Sequence, residues 1–295
     1  IALIVACLAR LVTACRVSGY QVYVNCFRAW GATMANVGPG GFYTTSQFCD
    51  YPPAYLYVLW LSNSFAQLLT QIAPAGFVRW FNSLGWGQFN DAAAILSIKL
   101  IPMTCDLVMA WLLYRMGRTL MGRKPAAVFA AWMAFNPAFF LTSAAWCQMD
   151  SVLCLGLMLV AWAAMERKWM LVLPLYVLCI FIKPQALMLG FLGLTAIILC
   201  WVRHREDRKS MLIGLGISAA VALVIVLPFS LGEGMSVTWL IDLYVNTLGS
   251  YAYATVNMAN LYYLLGGNWQ ATSLSAGWTL PLIFALLCGV WSATL

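Results

Sequence analysis

The sequence predicts an all-α, polytopic membrane protein, and its composition carries this prediction. The 295-residue chain is 63% hydrophobic and only 8% charged, with a mean hydropathy of +0.85. Its apolar stretches recur near the length of about 20 residues that a membrane-spanning helix needs. A closed β-barrel would need alternating strands of about 10 residues. Residues 211–228 are continuously apolar instead, so we expect helices.

We predict about eight transmembrane helices in a single domain that covers residues 1–295. The predicted spans are approximately residues 1–18, 97–114, 125–145, 151–164, 169–181, 186–202, 211–228 and 277 onward. The chain opens and closes inside apolar sequence, so we expect it to be a fragment that is truncated at both ends.

Lys and Arg cluster in short segments, and these segments set the predicted topology. They occupy residues 115–124, 167–168 and 203–209. Short loops rich in Lys and Arg stay on the cytoplasmic side of a membrane. The net charge of +7 therefore indicates topology and not a nucleic-acid surface, and we expect no nucleic-acid partner.

Placing those segments on the cytoplasmic side leaves two long external loops, at about residues 19–96 and 232–276. Residues 55–73 are long enough to cross the membrane, but a crossing there would move segment 115–124 to the outside. Several polar residues, among them Ser62, Asn63 and Gln67, also make this stretch amphipathic. Amphipathic helices lie in the membrane interface. We therefore predict that the first external loop carries helices that lie on or dip into the membrane, and a real crossing by residues 55–73 stays open as the alternative.

Polar strings border the apolar runs, and the predicted topology brings four of them to the external face. They are Asp50-Tyr51-Pro52-Pro53, Trp146-Cys147-Gln148-Met149-Asp150, Lys183-Pro184-Gln185 and Gly266-Gly267-Asn268-Trp269. Polar residues are expensive to keep near lipid, which makes them candidates for function. Loops carried on a rigid scaffold are also where binding and catalytic sites are usually built. The sequence thus predicts one site on the external face.

The residues available at that face favour acid–base chemistry on an oxygen nucleophile. The sole histidine, His204, falls in a cytoplasmic basic segment, which disfavours a hydrolase with a Ser-His or Cys-His pair. No His/Cys cluster has zinc-ligand spacing. The carboxylates that remain outside the cytoplasmic segments and the membrane are Asp50, Asp91, Asp150, Glu233 and Asp242, and the isolated cations are Lys183, Arg28 and Arg79. A carboxylate can activate a hydroxyl, and a cation can hold an anionic, phosphate-bearing leaving group.

These strings, taken in order, resemble the pattern of bacterial GT-C glycosyltransferases. The resemblance adds Asn136-Pro137 before Trp146, Ser151 after Asp150, Ala186 after Gln185, and the run from Ser250-Tyr251 through Val256-Asn257 to Trp269. The chain is similar in particular to the protein mannosyltransferase and dolichyl-phosphate glucosyltransferase families. Order and spacing carry the resemblance, since no single string is specific. It extends over essentially the whole chain, as a single GT-C-like transmembrane domain.

The resemblance implies an inverting transfer of a hexose, mannose-like or glucose-like, from a polyprenyl-phosphate sugar donor. The acceptor would be a hydroxyl of a glycan, a lipid or a protein on the extracytoplasmic face, with membrane lipid around the protein. In this family an acid shortly after the first span acts on the acceptor hydroxyl, and Tyr23 stands in its place. A tyrosine, with an ordinary pKa of about 10, is a poor replacement for a carboxylate base. Another carboxylate, first of all Asp50, is then the base, or the chain is catalytically impaired.

The candidate residues follow from both arguments. The catalytic candidates are Asp50, Asp150 and Tyr23, and the substrate-binding candidates are Gln148, Lys183, Gln185, Arg28, Trp146, Asn257 and Asn268. No resident cofactor is expected, and a divalent cation shared by Asp50 and Asp150 stays open. Bland alternatives also stand, because the two Asp residues can begin helices and Lys183 can extend to the interface.

Two rival functions remain open at this level. One is a catalytically impaired relative that binds lipid-linked sugar, which the replacement of the acid by Tyr23 would explain. The other is a lipid-sugar transporter or flippase. A transporter needs polar residues on several helices within the membrane, and here Lys99 and Asp106 are almost the only ones. These two are expected to serve helix packing or a buried pair.

Overall fold

The computed structural model describes residues 2–85, 87–250, 253–256, 260–271, 286 and 289–290. The structure is 80% helix, and its described residues form no strand. Only isolated bridges, between Tyr253 and Ala271 and between Thr255 and Asn268, have β geometry. The all-α prediction is confirmed.

The helices follow the apolar runs of the sequence. They are α1 (Ala2–Arg16), α2 (Gln21–Phe42), α3 (Pro53–Ile72), α4 (Ala75–Ser83), α5 (Phe89–Leu120), α6 (Arg123–Phe135), α7 (Pro137–Phe140), α8 (Asp150–Met165), α9 (Trp169–Ile182), α10 (Gly190–Arg203), α11 (Arg208–Ser230), α12 (Trp239–Gly249) and α13 (Leu261–Leu264). A π-helical turn, Leu141–Trp146, follows α7, and 3₁₀ turns at Pro184–Leu189 and Arg205–Asp207 precede α10 and α11. Seven predicted spans are thus helical, and the eighth, from residue 277, lies almost entirely outside the described residues.

Length and composition are sufficient for a membrane crossing in only part of these helices. Four described segments qualify: Phe89–Leu120, Arg123–Trp146, Pro184–Arg203 and Arg205–Ser230. A fifth is added if the bent pair α1 and α2 counts as one span. The apolar helices α8 and α9 have only 16 and 14 residues. The fold is consistent with a membrane protein, and the predicted number of about eight spans is not confirmed.

The stretch predicted as the first external loop is mostly helical, and it begins at a sharp corner. Helices α1 and α2 meet at 92°. Gly19 lies in this corner with φ of 97°, a left-handed backbone that favours glycine. A Cβ atom at Gly19 would lie 3.1 Å from the Cβ of Cys147, so the corner packs closely against the segment that follows the π-helical turn. Helix α3 then packs against α2 and α5.

Two kinds of packing hold the bundle together. Small residues let α1, α5 and α6 approach each other, with Ala6, Ala110 and Ala134 fully buried. Aromatic rings fill the larger core around α2, α3 and α11, including those of Phe27 and Phe229. This aromatic core borders the end of the molecule where the predicted site residues gather.

An ion pair is buried between α1 and α5. Arg10 Nε donates to Asp106 Oδ2 at 3.1 Å, and both side chains are at most 1% exposed. Ser143 Oγ donates to the same oxygen at 2.6 Å, and Arg10 Nη1 donates to the carbonyl of Ala134 at 2.6 Å. The expected buried pair of Asp106 therefore forms with Arg10. Lys99, which is also buried, donates to the carbonyl of Val17 at the end of α1.

Candidate functional site

A cavity of about 500 Å³ lies where the N-terminal turn of α2, the segment before α3 and the end of α9 meet. Its lining includes Tyr23, Asp50, Lys183, Gln185 and Trp269. These residues come from three of the four polar strings, together with α2. A larger cavity of about 720 Å³ between α1, α3, α4 and α5 contains none of the predicted site residues. The smaller, more polar cavity is therefore the candidate site.

Lys183 supplies the cation of this cavity. It is the first residue after α9, where Pro184 restricts the preceding residue to an extended conformation, observed at φ −154° and ψ 132°. Its Nζ atom forms an ion pair with Asp150 Oδ1, and the Lys183 side chain is only 13% exposed. The same ammonium lies 5.9 Å from the ring centroid of Tyr51. A positive charge is thus held in the wall of the cavity.

Asp150 is the first residue of α8. A carboxylate is favoured there by the helix dipole, in line with the helix-start alternative. The residue before it, Met149, makes no side-chain capping bond, and the Asp150 carboxylate accepts from Lys183. Asp150 therefore fits both the helix-start and the site interpretation, because it begins α8 and also orients the ammonium of Lys183.

Asp50 lies in the connection between α2 and α3, and its carboxylate lines the cavity. Burial raises the pKa of this carboxyl above its ordinary value, and a backbone hydrogen bond and the charge of Lys183 oppose that shift only in part. The backbone is fixed by Thr247 of α12, whose Oγ1 donates to the Asp50 carbonyl at 3.1 Å. Pro52, not Asp50, occupies the N-cap position of α3. A half-buried carboxylate with a raised pKa is a stronger base than an ordinary aspartate.

Tyr23 and Gln148 meet at the edge of the cavity. The side chain of Gln148 lies next to the hydroxyl of Tyr23. The Gln148 Oε1 atom is buried and has no hydrogen-bond partner within the described part of the chain. The Tyr23 ring packs against Tyr20 and Phe27 at centroid distances of 5.3 and 6.1 Å. Among the described residues, the Oε1 atom of Gln148 is therefore an acceptor without a partner, and it lies beneath these aromatic rings.

A left-handed residue fixes the position of Gln148. Cys147 ends the π-helical turn with φ 70° and ψ 34°, a left-handed conformation that favours glycine. The N–H of Gln148 donates to the carbonyl of Thr142 at 2.9 Å, and the N–H of Tyr20 donates to the carbonyl of Trp146 at 3.1 Å. These bonds hold the Gln148 segment against the start of α2.

The remaining predicted residues fall into three groups. Gln185 lies in the cavity lining, and the Trp146 ring packs on Tyr20 at 5.5 Å beside it. Asn268 forms a backbone bridge with Thr255, which brings the neighbouring Trp269 to the cavity. Asn257 lies outside the described residues. Sequence reasoning did not single out Thr247, which carries no motif and reaches the site only through the placement of α12.

Arg28 is not brought to this cavity. Its Nη2 atom donates to Asp91 Oδ1 at 2.7 Å, and it lines a separate cavity between α2, α3 and α5. The cysteines that share the first predicted loop, Cys26 and Cys49, are both free. Of the cations proposed from sequence for the site, the structure therefore places Lys183 in it and Arg28 elsewhere.

Within the described ranges, no group of three or more His, Cys, Asp or Glu side chains is arranged to hold a metal ion. A divalent cation shared by Asp50 and Asp150 stays a prediction. No family model matches the chain, and no curated protein or solved structure matches it. The functional argument consequently depends on the residues of the cavity themselves.

Proposed function

We propose that this chain is a membrane glycosyltransferase of the GT-C kind, which moves a hexose from a polyprenyl-phosphate sugar to an acceptor hydroxyl. The observation that carries the proposal is one cavity lined by a half-buried acid, Asp50, and a carboxylate-paired ammonium, Lys183. Such a transfer needs a base for the acceptor hydroxyl and a cation for the leaving phosphate, and this cavity offers both. The acceptor must lose a proton, and the leaving phosphate carries negative charge.

Asp50 takes the part of the general base. Its carboxylate accepts the proton of the acceptor hydroxyl while that oxygen forms a bond to the anomeric carbon of the sugar. The bond from the anomeric carbon to the phosphate oxygen breaks, and its electron pair leaves with the polyprenyl phosphate. Attack from the face opposite the phosphate inverts the configuration at the anomeric carbon. The raised pKa of Asp50 supports this role, because a stronger base accepts a proton more readily.

Lys183 stabilises the charge that develops on the leaving phosphate. Asp150 acts on Lys183 as a positioning residue, since their ion pair fixes the ammonium at the cavity wall. Hydrogen bonds from a charged donor to a phosphate are shorter and stronger than neutral ones. Gln185, next to Lys183 in the lining, adds a neutral amide for the phosphate or for sugar hydroxyls.

Aromatic side chains form the part of the cavity that would hold the sugar. Tyr20, Tyr23, Tyr51 and Trp269 all belong to the lining. Such rings offer large apolar faces together with a polar edge, which matches the apolar faces and hydroxyl groups of a hexose.

The proposal includes about eight membrane spans, with the cavity on the extracytoplasmic face. The 92° bend between α1 and α2 supports an interfacial course for the segment that follows α1. Helix α3 is not among the helices that are apolar enough to cross. A polyprenyl chain in the bilayer would then present its phosphate and sugar at the membrane surface, where α1 ends.

A second function, binding of lipid-linked sugar without transfer, is favoured by one observation. Tyr23 lines the cavity at the position where the resembled family carries its acid, and its hydroxyl lies next to Gln148. A chain without an adequate base would still retain the cation and the aromatic wall. The two functions differ in whether Asp50 can serve as the base.

The deciding experiment is a transfer assay in nanodiscs with a panel of polyprenyl-phosphate sugars. We expect Asp50→Asn to lower turnover by about 10²- to 10⁴-fold, the usual contribution of a general base. Asp242→Asn is the matched control, because Asp242 is exposed on α12 and does not line the cavity. Undiminished turnover in Asp50→Asn would refute Asp50 as the base.

Tyr23→Asp in the same assay separates the two functions. If the parent chain, with Tyr23 in place, transfers sugar, an acid at position 23 is not required and the glycosyltransferase proposal stands. If only Tyr23→Asp is active, the fold supports transfer and this chain binds lipid-linked sugar without transferring it. Binding of the lipid-linked sugar with no transfer by either protein would contradict the enzymatic proposal.

A further inference from the structure

The cavity that contains Arg28 is distinct from the candidate active site. It has a volume of about 330 Å³ and lies between α2, α3 and α5. The Phe27 ring separates it from the candidate active site. This ring lines the Arg28 cavity, and its centroid lies 6.1 Å from that of Tyr23 and 5.7 Å from that of Tyr51, which both line the candidate active site. The two cavities therefore share an aromatic wall.

Of the described residues that line this cavity, only Arg28 and Asn63 are polar, and both can donate hydrogen bonds. The remaining lining consists of alanines and the apolar side chains of Phe27, Leu59 and Ile98. The carboxylate of Asp91 is not part of the lining. A ligand that enters thus meets the Arg28 guanidinium and hydrocarbon, while the Nδ2 donor of Asn63 lies just beneath the surface of the lining and the Asp91 carboxylate is bound to the guanidinium.

Asn63 provides the inner donor. Its Nδ2 atom is buried and has no hydrogen-bond acceptor among residues 2–85, 87–250 and the other described positions. Buried donors in folded proteins almost always have an acceptor, so such a group needs an explanation. The backbones of α2 and α3 touch beside it, since a Cβ atom at Gly31 would lie 2.8 Å from the Leu59 carbonyl oxygen. The position of Asn63 is therefore fixed by close helix packing.

Arg28 provides the charge. A guanidinium carries five N–H donors in a rigid fork, and the hydrogen bond to Asp91 uses one of them. Both members of this ion pair are partly exposed, at 40% and 56%. Water screens such a pair, so an anion of better geometry can compete with Asp91 for the guanidinium.

We propose that this cavity binds an oxyanion, a phosphate or carboxylate group, through Arg28 and Asn63. Its apolar walls would hold hydrocarbon attached to that group. The volume lies within the range of about 300–1,000 Å³ that is usual for small-molecule sites. The inference does not depend on sugar transfer, because it concerns a different cavity and its test measures binding alone.

The test uses the full chain in neutral detergent and two probes, inorganic phosphate and phosphatidic acid, with phosphatidylcholine as the control lipid. Saturable binding is measured by titration calorimetry. We expect Asn63→Leu, which removes the donor and keeps a similar volume, to weaken binding about tenfold, as one lost hydrogen bond to a charged group would. Arg28→Met should weaken it by at least as much. The control Arg79→Gln, an exposed arginine on α4, should bind as the parent does.

Asp91→Asn distinguishes an anion site from a merely structural pair. If Asp91 competes with the ligand for Arg28, its neutralisation should tighten binding several-fold, whereas loss of a structural contact would not. Saturation by inorganic phosphate identifies a site for the free oxyanion, and saturation by phosphatidic acid alone identifies a headgroup site for an amphiphile. Either result supports the proposal.

Three results would overturn it: no saturable binding of either probe, parent-like binding by Asn63→Leu, or loss of binding in Lys183→Met but not in Asn63→Leu. The last result would place the anion in the candidate active site, beside Lys183, and would leave the proposed function intact. If Arg28→Met fails to fold, Asn63→Leu still decides the question, because it leaves the Arg28–Asp91 pair in place.

Discussion

At the scale of single residues, the candidate site depends on how the protein treats two carboxylates. Asp150 forms an ion pair with Lys183 and remains partly exposed. Asp50 is more deeply placed, and its burial raises the pKa of the carboxyl despite the nearby ammonium. Different environments commonly give two carboxyl groups different roles in one active site. Here they favour Asp50 as the base and Asp150 as the partner of the cation.

The raised pKa of Asp50 has a consequence for the pH dependence of activity. A base must be deprotonated to act, so kcat/KM should fall on acidification through the raised pKa of Asp50, above the ordinary aspartate value of about 4. The free energy of unfolding changes in the opposite direction from activity. The folded state binds this proton more tightly than the unfolded state, so the protein gains stability as the pH falls through the raised pKa of Asp50. A pH profile of kcat/KM checks the first point. An acid limb that persists unchanged in Asp50→Asn would show that another group titrates.

The sequence could identify most cavity residues but not the position of Arg28. Asp50, Lys183 and Trp269 follow from polar strings beside apolar runs, because a polar group kept near lipid is conspicuous. By residue type alone, Arg28 is as good a candidate for the cation of the site as Lys183. On α2, however, five residues separate it from Tyr23, a rotation of about 140° around the helix. The two side chains therefore serve different cavities, and this depends on the packing of α2 against α3 and α5.

At the scale of helices, the close approach of α9 and α11 is set by a small residue. A Cβ atom at Gly214 would lie only 2.5 Å from the carbonyl oxygen of Trp169. Gly216, two residues further along α11, has open space at the corresponding position. These glycines share a helix and differ in what surrounds them, which makes them a matched pair.

We expect Gly214→Ala to destabilise the protein by about 1–3 kcal/mol, the usual cost of overpacking, because α9 and α11 would have to separate. Gly216→Ala should be neutral or mildly stabilising, since alanine favours a helix over glycine by about 1 kcal/mol. Thermal unfolding in detergent compares the two variants. Equal effects at both positions would contradict the proposed helix contact.

At the scale of the whole molecule, hydropathy predicted the helices better than it predicted their number of crossings. Helices α8 and α9 have 16 and 14 residues, so at about 1.5 Å per residue they are shorter than a hydrocarbon core of about 30 Å. The neighbouring turns Leu141–Trp146 and Pro184–Leu189 belong to the segments Arg123–Trp146 and Pro184–Arg203, which already qualify as crossings, and so do not lengthen α8 and α9. The sequence also does not reveal the 92° corner, where Gly19 packs against Cys147.

Reporter fusions test the proposed topology. Alkaline phosphatase, which is active only outside the cytoplasm, should be inactive when fused after Gly122, Lys168 or Asp207, and active when fused after Cys147 or Lys183. A fusion after Ala73 decides the course of α3, and we expect it to be active because α3 should not cross. An inactive fusion at Ala73 together with an active one at Gly122 would reverse the assigned orientation of the later helices.

The buried pair of Arg10 and Asp106 has an effect at a distance from its own position. Either charge alone inside lipid would cost about 3 kcal/mol, so the two helices gain by pairing in one register. Sliding α1 by one helical turn, about 5.4 Å, would separate atoms that now lie 3.1 Å apart. The register of α1 fixes the level at which this helix ends, and with it the level at which α2 turns away and presents Tyr23. A salt bridge that touches no substrate thus determines the depth of the cavity wall.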